Sequence, residues 1–379
     1  MEIPVIMTLL RTSHERGVSG GQHSQGCVVG DQKAQNGSAV ETEQSRAEGD
    51  HCADREGRAR RRPLVKIKDL LWLAYLCPLK FLAATLPAGA LYLIGRLVEP
   101  VYQVIATKKR REVLRYLTQA SGPGFPAADL AETARRFIAN AVFRIFDDLI
   151  LDKLAAHNRL TCSELRGLEH LKNTLAEGRG AIIVSGHFYA NRVAKRYLAE
   201  IGYPMMSVRH GQPPDPAMGR FGERFLQPRY IEFLHGVIRD EVLLQDPDCV
   251  LRMLKRLRAG GLVNIHVDAV FSPHAVSLPF LRTYWSFPTG FLRIARLSRC
   301  ALVPMLCLGD SRRFTIIFDE PIDLDYGLSE DQFVSVNLPK LVDKLQSQIL
   351  QYPDQWDAWL DFESTSVSPP ASAVGSLSP

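Results

Sequence analysis

The stretch Ala181-Ile182-Ile183-Val184-Ser185-Gly186-His187-Phe188 decides how the rest of the chain is read. Four apolar residues in a row, without alternation, predict a strand covered on both faces, as in a parallel sheet between layers of helices. Gly186 and His187 close it, and Val193, Tyr197, Leu198 and Ile201 follow at helical spacing. Outward from there, strands and helices alternate. Residues 205–208 and 262–267 are predicted strands, with a helix marked by Leu251, Leu254 and Leu257 between them and Gly260-Gly261 as its stop. Phe291, Ile294, Ala295 and Leu297 mark a second helix. Residues 301–308 and 314–318 are further strands, and 334–350 a closing amphipathic helix. The predicted fold class is α/β, a mixed sheet flanked by helices.

Upstream, residues 112–119 and 127–153 read as helices separated by Ser121-Gly122-Pro123-Gly124. Thr161-Cys162-Ser163-Glu164 leads into helical spacing at Leu165, Leu168, Leu171 and Leu175, with Gly178 as the C-terminal cap. Residues 63–111 differ in character. Leu70, Leu71, Trp72 and Leu73 are followed by an uncharged stretch of fifteen residues between Lys80 and Arg96, too short to cross a hydrocarbon core of about 30 Å as a helix. Pro78, Pro87 and Pro100 are expected to break the segment into short helices. Lys108-Lys109-Arg110-Arg111 follows at once. Apolar helices beside a basic cluster predict a membrane-anchor segment lying in the interface of an anionic membrane surface, with a buried helical hairpin as the alternative. Residues 1–62, ending in Arg58-Ala59-Arg60-Arg61-Arg62, and 364–379 have tail-like compositions and are expected to be disordered, which leaves 112–363 as the α/β domain. No secretory signal is expected at Met1 to Leu10.

The chain has 379 residues, 46% apolar and 23% charged, which excludes wholesale disorder. A net charge of +5 is too modest to argue for nucleic acid. Seven cysteines without a C-x-x-C pair argue against a disulfide framework or a structural zinc site. Phosphate-binding G-x-x-x-x-G-K-[ST] and strand-linked G-x-G-x-x-G loops are missing, as is the G-x-S-x-G elbow of hydrolases.

Three places remain for chemistry. Ser185, Gly186, His187 and Phe188 stand at a strand's carboxyl end, where active groups of α/β sheets collect. His187 could take a proton from an attacking hydroxyl, and Gly186 would let a substrate approach closely. Asp268 ends a second strand; if the two strands are neighbours, both side chains share a pocket. His266 and His274 flank Asp268, but the spacing is weak evidence for a metal, and none is expected. Thr289 and Gly290 open a helix whose free N–H groups suit an anion, and Arg209, just past a predicted strand, joins them as a substrate-binding candidate. Each has a plain structural reading too: a turn histidine, a capping aspartate, an ordinary helix cap.

Taken in order, these features resemble the bacterial lipid A late acyltransferases, the lauroyl and myristoyl transferases of the lysophospholipid acyltransferase superfamily. The likeness runs over about residues 64–362. It rests on Arg110-Arg111-Glu112-Val113, Gly186-His187-Phe188, Gly260-Gly261-Leu262-Val263 leading to Asp268, Leu278-Pro279-Phe280-Leu281 with Pro288-Thr289-Gly290, Ala301-Leu302-Val303-Pro304, and above all Tyr352-Pro353-Asp354-Gln355-Trp356. The resemblance implies a glycerolipid acyltransferase-like fold and transfer of a fatty acyl group from an acyl carrier protein or coenzyme A thioester to a hydroxyl of a membrane lipid. It implies no cofactor beyond that co-substrate, and a place on the cytoplasmic face of a bacterial inner membrane. The family's signature is a histidine followed five residues on by an acid. Here the fifth residue after His187 is Arg192, which has no acceptor to orient an imidazole. Asn191, through its carbonyl, or Asp268 could replace the acid, and Arg192 could then bind a phosphate. The alternatives are an inactive lipid-binding homologue and an enzyme that acylates a soluble small molecule or peptide.

Overall fold

The computed structural model describes residues 63–122, 127–156, 162–211, 215, 217–237, 240–269, 274–309, 313–362 and 366–367. The expected N-terminal tail and most of the C-terminal one lie outside these.

Ala181–Ser185 (β2) forms the predicted strand and is buried throughout. Ile182 and Val184 pack into one apolar cluster, Ala181 and Ile183 into another, which is why the run carries no polar alternation. Its neighbours in the sheet are Leu262–His266 (β5) and Ala301–Gly309 (β8), both parallel to it. Cys162–Arg166 (β1), Met205–Arg209 (β3), Glu241–Leu243 (β4) and Phe314–Phe318 (β9) complete a described seven-stranded sheet of order β1-β9-β8-β2-β5-β3-β4, parallel except for the β8–β9 pair. A second, antiparallel sheet is built from Ala275–Phe280 (β6), Thr283–Pro288 (β7) and Ser366–Val367 (β10), the last from within the stretch expected to be a loose tail. The β6–β7 hairpin turns through Leu281 and Arg282, both at positive φ. Neither residue type favours that region, so the sequence carries no turn signal there.

Two readings change. The segment at 162–166 is a strand, and the helix expected from Leu165 starts later, as Leu168–Ala176 (α6 in the series below). The pairing of Cys162–Arg166 with β9 overrides a helical leucine pattern. Pro100 does not break its helix. Counting helices from the first described residues, α1 is Ile67–Ala74, α2 Lys80–Thr85, α3 Ala88–Ile105, α4 Thr107–Ser121 and α5 Ala127–Ala156. Pro78 lies in a wide π-type turn, Tyr75–Leu79, and Pro87 separates α2 from α3. Pro100 and Arg96, the residue whose carbonyl it deprives of a donor, are both exposed, so water can meet that carbonyl and α3 continues. The basic cluster forms the first turns of α4.

The apolar N-terminal helices have two faces. Trp72, Tyr75, Leu91 and Tyr92 are buried in one cluster with Phe146 and Ile150 of α5 and with Tyr230. Ile67, Leu70, Phe81, Leu93, Leu97, Val101, Val104 and Ile105 are exposed. Asp69 ties α1 to the body by accepting bonds from the Gly219 N–H at 3.0 and 3.1 Å. Among the described residues no helix is long and apolar enough to cross a membrane. The remaining helices are Asn191–Glu200 (α7), Gln227–Val237 (α8), Cys249–Arg258 (α9), Gly290–Ser298 (α10) and Glu330–Gln351 (α11).

Candidate active site

The register of two adjacent parallel strands builds the site. Ser185 of β2 pairs with His266 of β5. Two residues beyond each strand end stand His187 and Asp268, so equal steps along neighbouring strands bring them side by side. His187 Nδ1 lies 2.7 Å from Asp268 Oδ1, and the His187 N–H donates to Asp268 Oδ2 at 2.8 Å. The Trp356 indole N–H donates to the same Oδ2 at 2.7 Å. Asp268 is 2% exposed. Burial on its own would raise its pKa, but the charge of a protonated His187 and the hydrogen bonds from that residue outweigh burial and hold the carboxyl well below the usual range. An ionised Asp268 accepts a hydrogen bond from Nδ1–H, which keeps that hydrogen on Nδ1 and leaves the lone pair on Nε2.

The terminal motif clamps this loop. The Asp357 N–H donates to the His187 carbonyl and the Tyr189 N–H to the Gln355 carbonyl, each at 2.8 Å. Gln355 in turn accepts from the Gly309 N–H of β8 at 2.9 Å. Trp356 was legible as part of the distinctive chain ending; its direct role on Asp268 was not.

The other candidates sort by where they point. His187 lines a cleft of about 800 Å³ at the carboxyl ends of β2, β5 and β3. Arg209 and Gly290 line it too. Arg209 forms a buried pair with Glu241 at 3.2 Å. From this polar end the cleft runs between α9 and α10, past Val250, Met253, Phe291 and Ile294. It takes no lining residue from 70–94. Thr289 stands at the N-cap position of α10 and is buried, but its hydroxyl donates to the His274 carbonyl at 3.3 Å and caps no helix N–H. Ser185 and Phe188 are buried and do not line the cleft.

Gly186 has a packing reason to be glycine. A Cβ there would come within 2.5 Å of Leu345 Cδ1 and 3.4 Å of Asp268 Oδ2. The Asn191 carbonyl does not orient His187. Its side-chain amide donates to the Gly186 carbonyl at 2.7 Å, and its Oδ1 is buried without a partner. Arg192 is bound to Asp148 of α5, both side chains about one-eighth exposed, so its guanidinium already has an internal anion.

Two cleft residues were not chosen from the sequence. His266 stacks on His187 with ring centroids 4.3 Å apart, and Lys195 Nζ lies 3.3 Å from His266 Nε2. Lys195 follows Asn191 by one helical turn, a signal visible only once α7 is placed. Ligand atoms of His187, His266 and Asp268 lie within 4.8 Å of one another, close enough for a metal. Both Asp268 oxygens already accept bonds from His187 and Trp356.

A buried carboxylate steadying an imidazole at the head of an apolar cleft suits proton removal next to a bound hydrocarbon chain. No curated protein matches the chain. The family model of bacterial lipid A biosynthesis acyltransferases matches residues 69–361, which takes in the apolar helices, both strand-end residues and the Trp356 clamp. The chain therefore belongs to the family the sequence motifs resembled, the bacterial lipid A biosynthesis acyltransferases, whose activity is acyl transfer to a lipid.

Proposed function

We propose that the protein transfers a fatty acyl group from an acyl carrier protein or coenzyme A thioester to a hydroxyl of a membrane glycolipid, with His187 as general base and Asp268 in place of the missing acid. The observation that carries this reading is the 2.7 Å contact between His187 Nδ1 and Asp268 Oδ1 beside the cleft. The acceptor hydroxyl gives its proton to His187 Nε2 while its oxygen bonds to the thioester carbonyl carbon. The tetrahedral intermediate collapses, the C–S bond breaks, and the departing thiolate takes the proton from the imidazolium. Asp268 fixes the ring and stabilises its charge as it forms. The apolar arm between α9 and α10 takes the acyl chain. The reaction as written needs no metal or redox cofactor.

The exposed apolar side chains of α1–α3, with Lys108 and Arg111 exposed at the start of α4, support docking on an anionic membrane surface, the cytoplasmic face of a bacterial inner membrane.

The test is transfer from a dodecanoyl thioester to a lipid A precursor by the purified protein in mixed micelles. His187→Ala is expected to lower transfer at least 10³-fold while the folded fraction is unchanged. Equal transfer by the variant would refute the base assignment. Absence of transfer by the unaltered protein, with the acceptor still bound, would favour the lipid-binding homologue.

A further inference from the structure

The cleft forks about the sheet, because side chains alternate between the two faces of a strand. Val208 and Ile265 pack in the apolar cluster of Met253, Phe291 and Ile294, on the side of α9 and α10. Met205 packs with Ala194 and Leu198 of α7 on the opposite side. Ser207 and Arg209 share the Met205 side, and Lys195 of α7 lines the cleft there with His266. One branch is thus apolar and the other polar, and both belong to the cleft that His187 lines. At the β3–β4 edge the cleft reaches the surface beside His210 and the exposed Gln245.

In the polar branch the Ser207 hydroxyl stands outside the internal hydrogen bonding. Ser207 is 3% exposed, and its Oγ has no hydrogen-bond partner among the described residues. Asn264, its partner in register on β5, donates from its side-chain amide to the Ile183 carbonyl at 3.1 Å and to Ser185 Oγ at 3.4 Å instead. Glu241, its partner in register on β4, meets Arg209 at 3.2 Å. A buried hydroxyl left without a partner costs stability, so folded chains keep few of them outside sites that a ligand completes.

The depth of this hydroxyl fits one part of a thioester donor. Asn264 stands two residues before His266, so Ser207 lies about 7 Å down the strands from the ring that stacks on His187. The pantetheine arm common to acyl carrier protein and coenzyme A carries a secondary amide beyond a two-carbon spacer. In an extended arm about 6–7 Å separates the thioester carbonyl carbon from the carbonyl carbon of that amide.

We propose that the polar branch binds the pantetheine arm of the acyl donor, with the Ser207 hydroxyl donating to the carbonyl of the amide nearest the sulfur. This rests on the transferase reading above and deepens it. The acyl chain takes one branch, the arm takes the other, and the thioester carbonyl lies at the fork beside His187. No covalent bond is made or broken at Ser207.

Two thioethers that cannot be transferred test binding by itself. S-dodecyl-N-acetylcysteamine carries the amide, and 2-ethoxyethyl dodecyl thioether replaces it by an ether. The unaltered protein is expected to bind the amide about tenfold more tightly than the ether. Ser207→Ala is expected to lose that preference and to keep its affinity for the ether as evidence of an intact cleft. Free of ligand, the variant is expected to unfold no earlier than the unaltered protein, since the hydroxyl it lacks has no internal partner. In turnover it is expected to raise KM for the donor about tenfold with kcat nearly unchanged, and the coenzyme A and carrier-protein thioesters, assayed separately, show which of them delivers the arm. A preference that is missing from the unaltered protein, or unchanged in Ser207→Ala, overturns the assignment. So does failure to bind either thioether, or an unchanged donor KM in a variant that turns over. The assignment is one of binding, so a Ser207-dependent preference in a protein that transfers to no acceptor supports the amide site and counts against the transferase reading alone.

Discussion

At the scale of single residues, the departure at Arg192 is an exchange of charge partners. An acid in that position would face Asp148 of α5; the arginine pairs with it, and the carboxylate beside His187 comes from Asp268 on the neighbouring strand end. The exchange explains why restoring the family spacing should fail. Arg192→Glu would set a new carboxylate against Asp148 in a site about one-eighth exposed. The expected outcome in a denaturant titration is a loss of about 3 kcal/mol or more, as for other buried pairs that lose one partner, with no gain in transfer. Asp268→Asn tests the converse. The asparagine can still accept from Trp356 but brings no charge to the imidazole and cannot hold its tautomer. Transfer is expected to drop about 10⁴-fold with the fold retained, measured as kcat on the same thioester.

At the scale of elements, one turn of α5 joins four parts of the molecule. Asp147 accepts from Tyr92 of α3 at 2.6 Å and from Tyr189 of the His187 loop. Arg144 pairs with Asp357, next to Trp356, and its guanidinium lies 5.0 Å from the Tyr189 ring centre. Asp148 holds Arg192 of α7. Burial pushes the Asp147 carboxyl up from 3.8 to about 7, against the pull of the two tyrosine bonds. The folded protein therefore binds this proton more tightly than the unfolded chain. Its contribution to stability is full below about pH 4 and is lost as pH rises towards 7. Asp147→Asn cannot ionise and is expected to show a flatter thermal midpoint across that window than the unaltered protein. A midpoint that declines equally in both would remove Asp147 as the cause. Such a joint was beyond sequence reading, because its partners lie between 42 and 55 residues away for the tyrosines and on the far terminal motif for Arg144. What the sequence did carry was local: the unbroken apolar run of β2, the glycine stop before β5, and two polar residues each just beyond a strand. Their meeting followed from strand adjacency. The β6–β7 hairpin was missed because residues with no turn preference, Leu281 and Arg282, make its bend.

At the scale of the whole molecule, the cleft and the apolar helices belong to one folded body. Asp69 ties α1 to the Gly219 backbone, Lys68 pairs with Asp215 at 2.7 Å, and Tyr92 ties α3 through Asp147 to the His187 loop. A membrane gripping the outer face of α3 would thus hold the His187 loop at a fixed height above the lipid, which suits the proposed acceptor, whose hydroxyl stays near the headgroups. That outer face is Leu93, Leu97 and Val101, one turn apart from each other, then Val104 and Ile105, all more than half exposed. None of these side chains fills the core, so polar replacements should cost little stability. In water they leave an apolar stripe uncovered, and in the interface each gains roughly 0.8 kcal/mol per buried methylene. The triple variant Leu97→Ser, Val101→Ser, Val104→Ser is expected to fold normally and to lose at least tenfold in partitioning onto vesicles of mixed zwitterionic and anionic lipid, measured by sedimentation. Transfer to a short-chain, micelle-free acceptor should be unaffected, because the cleft lies elsewhere. Undiminished partitioning would mean that α3 is not the face that meets the lipid.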